Sequence, residues 1–168
     1  ARTNPCGRGR ELFVCGSASE STRAFVEANR ERGVPVFGLP PDSVRGAGLS
    51  PAYVRRLVRQ IGEAFESHRR VILNVGLPSV RSKVVAAGFA VQVVRIAAAL
   101  IRRVGVSHLY AEGGATAMEL IRECGWERLE VLREEAPGVA TLGIEGVKSL
   151  LTIKPGSYAW PEAIRRAR

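Results

Sequence analysis

The sequence has 168 residues, of which 46% are hydrophobic and 24% charged; this composition suits one globular domain with a sizeable core and excludes a disordered chain. The apolar stretches Val84 to Val94 and Ala97 to Ile101 are too short, and too interrupted by Gln92 and Arg95, to cross a bilayer, and Ala1 to Arg10 lack the apolar segment of a signal peptide. The 25 Lys and Arg exceed the 16 Asp and Glu by a formal +9, yet only Lys83, Lys148 and Lys154 are lysines, and the arginines are scattered rather than gathered into a polybasic arm. They read as solvated helix faces, so neither nucleic acid nor a membrane is the expected partner. Cys6, Cys15 and Cys124 are odd in number and lack ligand spacing, which fits a reducing, cytoplasmic setting.

Short β-branched runs alternate with helical patterns along the chain. Leu12 to Cys15 predicts a buried strand and Ser19 to Arg32 a helix stopped at Gly33. Val34 to Leu39 predicts the second strand and Pro40 to Leu49 a loop. Ser50 to Ser67 follows as an amphipathic helix, with Ser50 as its cap and Pro51 in its first turn. Val71 to Val75 is the third strand, Val84 to Val104 the third helix, His108 to Ala111 the fourth strand and Thr116 to Cys124 the fourth helix. After Trp126 the rhythm turns to strand upon strand: Leu129 to Glu134, Val139 to Leu142 and Leu150 to Lys154, with Pro137-Gly138 as a turn and Pro161 to Arg168 as a closing helix. The expected architecture is a three-layer αβα, Rossmann-like α/β domain: a mainly parallel sheet with an antiparallel C-terminal extension. Residues 1–168 are read as one domain.

Ligands of such sheets lie at the carboxyl ends of the parallel strands, which directs attention to three turns. Gly16-Ser17-Ala18-Ser19 joins a strand to a helix, and its small residues and hydroxyls suit an anion; Ser17 or Ser19 equally suits a plain helix cap. Glu112-Gly113-Gly114-Ala115-Thr116 places a costly glycine pair at the fourth such junction, which suggests close approach of a phosphate, though packing explains it equally well. It is neither a Walker loop nor a spaced Gly-x-Gly-x-x-Gly fingerprint. Lys154-Pro155-Gly156-Ser157-Tyr158 brings a lysine to a tight turn, as a phosphate clamp or as an ordinary surface lysine. Glu112 and Lys154 are candidates for ribose or phosphate contact.

Other candidates carry less. His68 and His108 stand apart, with no ligand at metal spacing, so no protein-built metal site is expected. Cys15 reads as a small buried hydrophobe, Trp126 and Trp160 as packing residues, and the Asn74-Val75-Gly76 end of the third strand could face the same rim but acquires no role.

At these turns the chain resembles the C-terminal, nucleotide-binding domain of the four-carbon acid sugar kinases, over about Leu12 to Pro161. The resemblance rests on VCGSASESTRAF, YAEGGATAMELI, EEAPGVATLGI and LLTIKPGSYAWP in that order and spacing. It implies that Ser17, Gly113, Gly114, Ala115, Thr116 and Gly156 contact ATP, with Mg2+ accompanying the nucleotide. It also implies phosphorylation of threonate, erythronate or 3-oxo-tetronate at the terminal hydroxyl. Ala115 stands where the family often carries an acid, and Lys154-Pro155-Gly156-Ser157-Tyr158-Ala159 replaces a frequent Lys-Ser-Gly-Gly-Phe-Gly. Only one acid, Asp42, is an aspartate, although phosphoryl transfer commonly uses aspartates. The expectation is therefore a nucleotide-binding half that works with an N-terminal sugar-acid domain and is inactive alone. A non-catalytic phosphosugar- or nucleotide-binding module is the alternative, and a nucleic-acid-binding protein a more distant one.

Overall fold

The computed structural model describes residues 9–40, 48–75 and 83–166. Its strands are β1 (Glu11–Cys15), β2 (Val36–Gly38), β3 (Arg70–Asn74), β4 (His108–Glu112), β5 (Leu129–Ala136), β6 (Val139–Ile144) and β7 (Val147–Lys154). Its helices are α1 (Glu20–Glu31), α2 (Pro51–Ser67), α3 (Lys83–Arg103), α4 (Gly114–Cys124) and α5 (Glu162–Arg166). One sheet runs β2-β3-β1-β4-β7-β6-β5. The first five strands in that order are mutually parallel, and β6 and β5 continue it antiparallel. The expected αβα architecture is the one observed.

The two layers follow from the period-two alternation of each strand. Leu12 and Val14 of β1, Val71 and Leu73 of β3, and Leu109 and Ala111 of β4 pack with Ile61 of α2, Val93 of α3 and Leu120 of α4. The intervening Phe13, Cys15, Ile72 and Tyr110 face the other way, onto Phe25 and Val26 of α1, Trp160, and Ile164 of α5. Because both faces are covered, β1 and β3 are buried at every position, and their sequences are nearly continuous apolar runs. On the second face Phe13 stacks on Tyr110 with centroids 4.2 Å apart, and Trp160 meets both rings edge-on.

The boundaries differ from expectation where tertiary contacts intervene. β2 starts at Val36 rather than Val34, because the Val34 N–H is drawn back to the Asn29 carbonyl at the end of α1. β5, β6 and β7 are longer than their apolar runs, since antiparallel pairing carries them through polar residues to their turns. The Pro40 to Leu49 loop lies largely outside the described residues, as do Cys6, Asp42 and Gly76. Solvated helix-face pairs are present: Arg30–Glu27, Arg59–Glu63, Arg122–Glu119 and Arg166–Glu162. Arg70 departs from that pattern. It is buried at the amino end of the sheet, paired with Glu11 at 3.0 Å, and donates to the Ile164 and Arg165 carbonyls.

His108 opens β4 at the end of the sheet opposite the three turns, with Nε2 2.7 Å from the Thr152 hydroxyl and its ring stacked on Tyr110. Burial, reinforced by the Arg133 charge, lowers its pKa from 6.5 to about 4. The unfolded chain therefore binds more protons than the folded one between those values, so stability falls as pH drops through that window. Urea titrations from pH 7 to 4 are expected to show this loss, and His108→Gln is expected to reduce it; an unchanged slope would separate the ring from acid sensitivity.

Candidate functional site

The five parallel strands end flush. Gly38 pairs with Asn74, Asn74 with Cys15, Cys15 with Glu112, and Glu112 with Lys154, so the turns after β1, β4 and β7 start side by side along one rim. The chain leaves β1 toward α1 on one face and leaves β4 toward α4 on the other, the arrangement at which sheets of this kind bind ligands.

The first turn is held by its hydroxyls. Ser19 caps α1 by accepting from the Thr22 N–H at 3.2 Å, and Ser17 Oγ accepts from the Ser19 N–H at 3.1 Å. Ser19 Oγ also lies 3.0 Å from the Gly156 carbonyl, which it bonds as a donor, tying the turn after β7 to the start of α1. The cap expected at Ser17 or Ser19 is thus Ser19, with Ser17 supporting it.

The second turn begins α4 without a side-chain cap. Gly113 occupies the N-cap position at φ +94°, a conformation that disfavours any side chain, and its N–H donates to the Lys154 carbonyl at 2.9 Å. Gly114 and Ala115 are exposed, and a Cβ on Gly114 would meet nothing within 4 Å. The first N–H groups of a helix have no intrahelical acceptor, so α4 presents donors and the positive end of its dipole to an open space.

The third turn closes on the other two. A Cβ on Gly156 would lie 3.7 Å from Ser17 Cβ and 3.9 Å from Gly113 Cα, so the three turns stand within one side-chain atom of one another. Gly16 is tighter still, since a Cβ there would fall 2.0 Å from the buried Thr116 hydroxyl oxygen. Ser17, Gly113, Gly114, Ala115, Thr116 and Gly156 are thereby brought to one place.

Glu112 and Lys154 belong to this cluster but lie beneath it. Their side chains are 0% and 1% exposed, with Nζ 3.2 Å from Oε1. Thr22 Oγ1 also donates to that carboxylate, and Nζ sits 5.2 Å above the Trp160 ring. The surface-lysine reading of Lys154 is corrected: its neighbours on the sheet bury the ammonium among charge and aromatic partners. Burial raises the Glu112 carboxyl above its ordinary range, while Thr22 and Lys154 pull it back. Burial and the Glu112 charge likewise push the Cys15 thiol well up, which keeps it protonated and a poor nucleophile.

Among the described residues no three His, Cys, Asp or Glu side chains cluster to hold a metal ion. The only carboxylate in the three turns is Glu112, enclosed and ion-paired, so these residues do not fit a magnesium held by the protein itself. The described helices include none long and apolar enough to cross a membrane.

A family model described as a nucleotide-binding C-terminal domain matches residues 12–159. The chain belongs to that family. A protein from Salmonella typhimurium LT2 described as a putative tRNA synthase superposes with a TM-score of 0.78 at 18% identity over 95% of this chain. A Bordetella bronchiseptica structure of a domain of unknown function, DUF1537, solved as a domain-swapped dimer with bound citrate, gives 0.73 at 17% over 94%. A Haemophilus influenzae protein matched to DUF1537 gives 0.71 at 21% over 94%. The domain spans 40% of the Salmonella and Bordetella chains and 39% of the Haemophilus chain. At these identities the likeness is one of fold. No curated protein gives a significant match. The resemblance drawn from the four sequence motifs is borne out at the level of the nucleotide-binding domain.

One residue at the rim had no sequence signal for function. Asn74 ends β3 in register with Cys15 and is buried, yet an asparagine after an apolar strand is indistinguishable in sequence from a turn residue.

Proposed function

We propose that the domain binds ATP across the three turns and serves a kinase that phosphorylates four-carbon sugar acids such as threonate, erythronate or 3-oxo-tetronate at the terminal hydroxyl. The carrying observation is the meeting of Ser17, Gly113 and Gly156 beside the uncapped start of α4. Phosphate oxygens would accept from the N–H groups of Gly114, Ala115 and Thr116, with the Ser17 hydroxyl on one side and the Gly156 backbone on the other. Glu112 and Lys154 act through position: their buried pair fixes the ends of β4 and β7, from which two of the turns spring. Magnesium enters with the triphosphate as its counter-ion.

The sugar acid and the group that accepts its hydroxyl proton are assigned to a partner domain, in a cytoplasmic enzyme. The chain alone is expected to bind ATP and to transfer no phosphoryl group. Calorimetry with ATP, with sugar phosphates and with duplex DNA at two salt concentrations tests the assignment. Preference for a sugar phosphate over ATP would favour a phosphosugar module, and salt-sensitive DNA retention a nucleic-acid role. Turnover of a sugar acid by this chain alone would overturn the division of labour.

A further inference from the structure

On the side of β1 away from β4, the ends of β2 and β3, one face of α1 and the start of α2 line an open cavity of about 830 Å³. That volume is in the range of small-molecule sites. Val26, Leu39 and Val75 give it apolar walls, Tyr53 adds an aromatic ring, and Glu27 and Arg30, ion-paired with each other, line its α1 side. Asn74 lines it at 7% exposure, and its Oδ1 is buried with no hydrogen-bond partner among the described residues. An enclosed acceptor without a donor is costly unless a ligand supplies one. Ser17 belongs both to this cavity and to the contact with Gly156, so the cavity and the three turns share a wall. Arg23, which has no ion-pair partner among the described residues, also lines it.

We infer that this cavity takes the base and ribose of the nucleotide, with Asn74 Oδ1 accepting from the exocyclic amino group of adenine. The inference rests on the nucleotide reading above and adds the location and the base-reading residue. A flat heterocycle matches the apolar walls and the aromatic ring. In the orientation the structure records, Oδ1 accepts from a 6-amino group, whereas the 6-oxo group of inosine requires the amide to turn its Nδ2 donors inward, so ATP is expected to be preferred over ITP.

Adenosine and inorganic tripolyphosphate, titrated separately and followed through backbone amide NMR shifts, separate this inference from the reading beneath it. Adenosine is expected to move Val26, Leu39, Asn74 and Val75, and tripolyphosphate to move Gly113 to Thr116 and Gly156. Shifts with tripolyphosphate but none in the cavity with adenosine would overturn the base site alone. Unmoved turns with tripolyphosphate would overturn the phosphate assignment instead. Asn74→Leu is expected to weaken ATP about tenfold, to leave tripolyphosphate unchanged and to reduce an ATP-over-ITP preference to within about twofold. If that variant does not fold, Tyr53→Ala at the half-buried start of α2 is expected to weaken adenosine and ATP while sparing tripolyphosphate. Retained adenosine and ATP affinity in a folded variant would overturn the base site.

Discussion

Gly114→Asp is expected to abolish most nucleotide binding while leaving the fold intact. The position is exposed at the first turn of α4, lies outside the positive-φ region, and has open space where a Cβ would stand, so the side chain enters without a clash. An acid there is favourable to the helix by about 0.3–1 kcal/mol through the dipole, and replacing a helical glycine adds a similar gain. The same carboxylate would occupy the space assigned to phosphate and repel it. A loss of ATP affinity of about 100-fold, or ~2.7 kcal/mol, is expected by calorimetry, with thermal stability unchanged or raised. A folded variant that binds ATP as the parent does would remove α4 from the site.

Lys154→Met is expected to produce the largest loss of stability. It leaves the fully enclosed Glu112 carboxylate without its ammonium partner at 3.2 Å, and breaking a buried pair from one side costs about 3–5 kcal/mol. The double variant Lys154→Met with Glu112→Gln is expected to recover much of that loss, because no unpaired charge remains. The pH dependence has a definite sign. The folded-state pKa of Glu112 lies above its ordinary value of 4.5, so the folded protein binds the proton more tightly than the unfolded chain. The contribution of this group is full below about pH 4.5 and is lost as pH rises through the folded-state value. Without Lys154 that value rises further, so Lys154→Met is less destabilised relative to the parent at pH 5 than at pH 8. Urea unfolding at both pH values measures this; equal losses in single and double variants would show that Lys154 acts through packing alone.

The legibility of the fold had local causes. Strand and helix periods, the Ser50-Pro51 start of α2 and the glycine closing α4 are written in neighbouring residues and needed no tertiary information. The boundaries of β2 and of the antiparallel strands were less legible, because pairing and a helix-end hydrogen bond set them. The site was legible in part: its three turns were marked by glycines and hydroxyls, but the sequence separation from Ser17 to Gly156 hides their contact. Lys154 read as a phosphate clamp or as a surface residue because enclosure, which makes it costly and therefore specific, is not encoded beside it. Asn74 carried no functional pattern, since an unpartnered acceptor is a property of its surroundings.

The sequence by itself determined the alternation of elements, the burial of β1, and the three small-residue turns, because each depends on side-chain period and on backbone freedom over a few residues. Tertiary structure decided the strand order, the flush row from Gly38 to Lys154, the buried Glu112–Lys154 pair and the cavity beside Asn74. The physical reason is that these features arise from strand pairing between distant segments. Such pairing fixes which polar groups are taken out of water, and with which partners, once the sheet closes over them.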